Sequence, residues 1–157
     1  MPDNVATSLN RSLCLSACLA AAALAQDFGD RSSATLTKGA WAALERGDLD
    51  ETMAYTGKCR ELYADEAARQ QAELTGFPPR ERGHDAWALN DVGTCCYIEG
   101  QAHEKADRKA EAIAVYRRLV ADFGFAQCWD ERGWFWHPAE AAKERLDALE
   151  FETALAE

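Results

Sequence analysis

Cysteine and histidine carry the most specific chemistry in this 157-residue sequence, and Cys95, Cys96, His103 and Cys128 are the side chains a metal ion or a thiolate mechanism would draw on. Structural zinc sites present Cys-x2–4-Cys pairs on turns, whereas the adjacent Cys95 and Cys96 point roughly 100° apart on a helix and do not easily share an ion. A Cys–His nucleophile needs a thiolate beside a histidine and a third group that orients the ring. His103 stands two turns beyond the cysteine pair, and no orienting group announces itself. Paired carboxylates for glycoside hydrolysis must face each other about 5 to 9.5 Å apart across a cleft. The 27 acidic residues are instead spread along helical stretches, where solvated faces explain them. The expectation is a chain without catalysis, metal or cofactor.

Cysteine has a second use, and it depends on where the protein resides. Residues 13–25 form an uncharged apolar run preceded by Arg11 and closed by Ala23-Leu24-Ala25 before Gln26 and Asp27. That is the layout of a secretory signal cleaved after Ala25, too short for a membrane span, which needs about 20 residues. The domain expectation is a signal peptide over 1–25 and one domain over 26–157, in the periplasm or secreted. A lipoprotein-like box, Leu15-Ser16-Ala17-Cys18, makes a lipid anchor on Cys18 the second choice. Cleavage leaves Cys59, Cys95, Cys96 and Cys128, an even number suited to an oxidising compartment. A bond between neighbours strains the intervening peptide, so Cys95 and Cys96 would each pair with Cys59 or Cys128. Cys96 shares a stripe with Leu89 and Val92, which leaves Cys95 at the edge and favours Cys95 with Cys128. The closed loop of about 33 residues is worth about 3 to 4 kcal/mol in the chain-entropy model. Reduced, buried thiols are the alternative.

The elements that must position these residues read as helices. Leu36, Ala40 and Ala43 recur at i, i+4, i+7, as do Tyr55, Cys59 and Leu62, and Leu89, Val92 and Cys96 give a third stripe at i, i+3, i+7. Ile113, Tyr116, Leu119 and Phe123 give a fourth stripe, and Ala139, Ala142, Leu146 and Leu149 a fifth. No run alternates with period two. Gly47-Asp48 marks a tight stop and restart, Pro78-Pro79 ends the second helical region, Asp107 caps the fourth helix and Gly124 closes it. Pro138 stands at the first position of the fifth, with Glu140 in its first turn. The longer connections are 74–84 and 124–137. The expectation is an all-α domain of five helices. Gly93 and Gly100, seven apart on one helical face, mark places where a neighbour must approach closely, since each glycine costs a helix about 0.5–1 kcal/mol relative to alanine.

Two stretches resemble the helix-turn-helix unit of tetratricopeptide repeats. In the first, Ala40 is the small residue of helix one, Gly47-Asp48 the turn and Cys59 the small residue of helix two. In the second, Gly100, Asp107-Arg108-Lys109 and Glu111-Ala112-Ile113 with Tyr116 and Leu119 take those places. The turns lie 60 residues apart, not 34, so the units are degenerate, with an insertion at about 65–84. The resemblance covers 34–123, and a helix over 138–155 would cap the stack. It implies a short solenoid of helix hairpins whose concave groove holds a protein or peptide partner.

Charge and aromatic content bound the partners. Seventeen basic against 27 acidic residues give a net charge of −10, against a nucleic-acid or anionic-membrane partner. Six aromatics fall within residues 123–136. Most are expected to fold inward over the end of the stack. The other reading makes Trp129, Trp134 and Trp136 a platform for a cell-envelope glycan, with Trp134 and Trp136 on one side of an extended stretch. Trp41 and Trp87 read as core, and Asp130, Glu131 and Arg132 as the polar rim.

Overall fold

The computed structural model describes residues 26–130 and 133–155. The apolar run of 13–25, its cleavage site and the Cys18 box lie outside the described residues, as do Glu131 and Arg132.

The fold is all-α, with one small hairpin. Ser32 opens α1 (Ser33–Arg46), its hydroxyl accepting from the Thr35 amide at 3.2 Å, and Gly47 closes it at φ 77°, where its N–H meets the Ala43 and Leu44 carbonyls. Only glycine takes that left-handed backbone without strain. The next residue, Asp48, caps α2 (Leu49–Ala72) by accepting from the Glu51 amide at 3.0 Å, so helix one ends and helix two begins within two residues. Asp50 and Glu51 add negative charge where the helix dipole is positive.

Helix α2 ends at Ala72, ahead of the proline pair, and carries the first eight residues of the expected insertion as helix. A short 3-10 turn at Arg80–Arg82 then leads into α3 (Trp87–Lys105). Three residues join α3 to α4 (Lys109–Asp122), and Asp107 does not take the capping place expected of it. Asp107 takes a positive φ of 55° inside the turn, and the capping position falls to Arg108 with no side-chain bond. Aspartate tolerates the left-handed region, so Asp107 shapes the turn and does not cap the helix. At the other end of α4, the chain leaves the helix at Phe123, one residue before Gly124.

Residues 128–136 form an antiparallel hairpin, β1 (Cys128–Asp130) on β2 (Trp134–Trp136), with Trp129 opposite Phe135. Three-residue strands are too short to show a period in sequence. The last helix, α5 (Pro138–Leu155), starts on its proline. It packs on α4 and is pinned by Lys109–Glu152 at 2.9 Å and Arg117–Glu150 at 2.7 Å.

Each helix packs against the next in sequence, and α3 also meets α1 and α5. The third helix is therefore the spine: from Ala88 to Gly100 every residue but Asp91 is buried. Leu36, Leu89, Val92, Tyr116 and Leu119 are wholly inaccessible and form the centre of the core. Both glycines expected to mark close approaches do so. A Cβ on Gly100 would sit 2.2 Å from the Tyr116 ring, and one on Gly93 would sit 2.5 Å from the Ala126 Cβ. Leu62 departs from its stripe and is 45% exposed, because the inward stripe of α2 runs from Cys59 through Tyr63 to Ala67 and Gln70 and leaves Leu62 beside it. Among the described residues no helix is long and apolar enough to cross a membrane.

Candidate functional site

Two polar faces of α3 could do chemistry, and they point opposite ways. One carries Glu99 and His103. Glu99 is buried and ion-paired to Arg60 of α2, while the His103 ring is 3.9 Å from the other Glu99 oxygen. The Nδ1 of His103 is buried without a hydrogen-bond partner. Burial, then the positive charge of Arg108, lowers the pKa of this imidazole and keeps it neutral. Among the described residues no hydroxyl or thiol is hydrogen-bonded to His103, and the arrangement reads as a buried polar tie between α2 and α3.

The other face carries Asn90, Asp91, Thr94, Tyr97 and Gln101, and here α3 meets the hairpin. Asn90 is buried and braces two loops at once: its side-chain amide donates to the Gly83 carbonyl at 2.8 Å and its oxygen accepts from the Gln127 amide at 2.9 Å. Gln127 in turn donates to the Pro78 carbonyl at 3.2 Å. Gln71 accepts from the Phe125 amide, and Gln70 from the Leu89 amide, both at 2.9 Å. Buried backbone groups in long connections must find partners, and these side-chain amides supply them. Gly83 lets the Phe135 ring approach, since a Cβ there would lie 2.4 Å from it.

The braces set the hairpin beside α1 and α3 and leave a groove between them. Two adjoining cavities of about 400 and 390 Å³ share Trp41, Thr94, Cys128 and Trp129. Tyr97 and Trp136 line one end; Trp87 and Asp91 line the other. Trp41, Tyr97 and Trp136 touch one another at steep angles, Tyr97 on Trp136 edge to face at 4.9 Å between centroids. Arg80 lies over the Trp129 ring at 4.5 Å, a cation–π contact.

The aromatic segment divides where the sequence reading kept it together. Phe123 is buried, Phe125, Phe135 and Trp136 are half-buried, and Trp129 and Trp134 are 40% and 47% exposed. Strand alternation puts Trp134 and Trp136 on one side with Cys128, while Trp129 lies with Phe135 on the other, so the three tryptophans share no single flat platform. Trp87 is not core: it stands at the first position of α3, 46% exposed, edge-on to Tyr63 at 5.6 Å. Trp41 is half-buried and serves as groove wall as much as core.

The four described cysteines are free thiols. Cys128 lies 2.7 Å from the Thr94 hydroxyl, and burial lifts its pKa to about 12. Cys95 is wholly buried, not at an edge, because α3 is covered on all sides; its sulfur faces Thr37 at 3.4 Å and Cys59. Cys96 is also wholly buried, its thiol likewise raised to about 12. His103 is remote from Cys128, on the opposite face of α3, and among the described residues no three His, Cys, Asp or Glu side chains converge as metal ligands.

Neither a family model, nor a curated protein, nor a solved structure matches this chain.

Proposed function

We propose that the chain is an exported, tetratricopeptide-like interaction module without catalysis of its own, and that it holds an extended segment of a protein partner in the groove between α1, α3 and the hairpin. One observation carries the reading: an open, aromatic-walled groove whose walls are fixed by buried amides. Binding sites of this kind combine apolar rings with a few placed polar groups, here Gln101 and Asp91. The glycan reading retains one observation in its favour, the exposure of Trp129 and Trp134.

A single pair of variants separates the two. Twelve-residue peptides selected from a random displayed library against the wild-type domain should lose about tenfold or more in affinity to Trp129→Ala, which removes a groove wall. They should be unaffected by Trp134→Ala, which lies outside the groove. Selection that yields no peptide, combined with chitooligosaccharide binding lost in Trp134→Ala, would replace the peptide reading with the glycan one.

A further inference from the structure

The one residue of the α3 core stretch that stays half-buried, Asp91, opens into the groove, and its surroundings define what the groove selects. One carboxylate oxygen accepts from the Ser33 hydroxyl at the start of α1. The other has no hydrogen-bond partner among the described residues, and no lysine, arginine or histidine among them forms an ion pair with it. Burial lifts its pKa against the opposing pull of the Ser33 bond. Its unbonded oxygen still meets water, but partial burial without a counter-charge leaves the carboxylate less well solvated than on an open surface, and a cation brought to it is favoured.

The walls around it suit the same ligand. Trp41, Trp87 and Trp129 line the cavity that holds Asp91. Indole faces attract ammonium and guanidinium groups, most strongly where water is excluded. Trp129 already displays this affinity within the chain by taking Arg80 on one face. A net charge of −10 draws cationic segments toward the domain and repels acidic ones. Polar glycan hydroxyls would find Asn90 and Gln127 engaged in bracing the loops.

Building on the peptide-groove reading above, we propose that the groove is specific for a basic side chain of the partner segment, its ammonium seated against Asp91 and its aliphatic stem along Trp41 and Trp129. Charge complementarity commits the site to this occupant: an apolar or acidic side chain would leave the Asp91 charge unanswered. Ser33 would hold the carboxylate in place whether or not the ligand is bound.

The test is titration of the isotope-labelled domain, at physiological salt, with two capped pentapeptides, four alanines around either lysine or norleucine. Norleucine keeps most of the stem and removes the ammonium. The indole N–H resonances of Trp41, Trp87 and Trp129 report on the groove. The lysine peptide should move them with an affinity at least about fivefold better than norleucine. Asp91→Asn, which still accepts from Ser33, should reduce lysine binding to the norleucine level. Asp65→Asn on the opposite side of α2 changes the net charge equally and should leave lysine binding unchanged. Equal shifts from both peptides, or a lysine preference that survives Asp91→Asn, would overturn the charge specificity and leave the peptide groove standing. Indoles unmoved by either pentapeptide would also overturn it, and the library selection then decides the groove separately.

Discussion

Gly100→Ala is the sharpest probe of how α3 and α4 are packed. Alanine favours a helix over glycine by about 0.5–1 kcal/mol, so on propensity alone the change should stabilise. The structure sets a larger opposing effect. The new Cβ would lie 2.2 Å from Cε1 and 2.5 Å from Cζ of Tyr116. Carbon atoms rest about 3.5–4.0 Å apart, so the ring must retreat by more than about 1 Å. It has nowhere to go. Tyr116 is wholly buried, and its hydroxyl donates to Glu104 at 2.5 Å, a carboxylate that Arg145 grips at 2.6 and 3.0 Å. Overpacking costs about 1–3 kcal/mol, and a clash of more than about 1 Å against a pinned ring takes the upper part of that range, about 2–3 kcal/mol, which leaves a net loss of about 1–2 kcal/mol after a helix gain of about 1 kcal/mol. Urea denaturation followed by circular dichroism should show that loss, with a melting temperature lower by about 4–8 °C. Gly57→Ala is the internal contrast. It too lies within a helix, but its Cβ would meet nothing within 4 Å, so it should gain about 0.5–1 kcal/mol. A Gly100→Ala protein as stable as the wild type, or a loss of equal size at Gly57, would show that the α3–α4 approach is not what demands glycine at position 100.

Two further outcomes are open to measurement. His103 titrates in the unfolded chain near the ordinary histidine value of 6.5 and below it when folded. The unfolded state therefore binds the proton first as pH falls, and the stability this histidine contributes is full above 6.5 and is lost as pH drops through the lowered folded value. His103→Gln should flatten that part of the pH dependence in chemical denaturation between pH 7 and 5, and an unchanged slope would place the titration elsewhere. Export with cleavage after Ala25 predicts Gln26 at the mature N-terminus and four cysteines per chain after reduction, against the six of the full sequence, read by intact mass and by thiol titration in denaturant. A retained Met1 or a lipidated Cys18 would overturn soluble export.

What could be read in advance was what short-range rules determine. Gly47-Asp48 is legible because a left-handed glycine and a capping aspartate act within a few residues. The stripes of α1, α3 and α4 are legible because one repeat of apolar side chains suffices to bury them. Gly93 and Gly100 betrayed a close neighbour by their cost, though not that Gly93 would face Ala126 of a loop and Gly100 a tyrosine ring. Asp107 misled because the same residue type suits both a cap and a left-handed turn, and the three-residue link needed the turn. Trp87 misled because a helix was expected to bury it, whereas the helix begins there. The groove was hidden for another reason. On a helix buried on all sides the polar residues are not confined to one solvated face, so Asn90, Asp91 and Thr94 look in sequence like interruptions of an apolar pattern. Their spacing along one side of α3 was the available signal.

That spacing gains meaning once polar groups spent on the fold are separated from those that are not. Fixing the backbone of 74–84 and 124–137 costs about 1–2 kcal/mol per residue in entropy, and such segments stay ordered only if their buried backbone groups are bonded. Asn90, Gln71 and Gln127 have their side-chain amides committed to that task, Gln70 satisfies the Leu89 amide in the first turn of α3, and Thr94 donates back to the Asn90 carbonyl at 2.8 Å. Replacing any of them would disturb the fold before it disturbed a ligand. Asp91 differs, because the bond to Ser33 occupies one oxygen and leaves the charge unmatched, and Trp129 differs, because 40% of it stays in water although a packed core lies beside it. A half-buried charge without a counter-ion, and an indole with Arg80 on one face and 40% of its surface in water, each leave something for a ligand to satisfy. Both border one groove that the loop braces hold open, and a ligand that covers the ring while answering the charge relieves both at once.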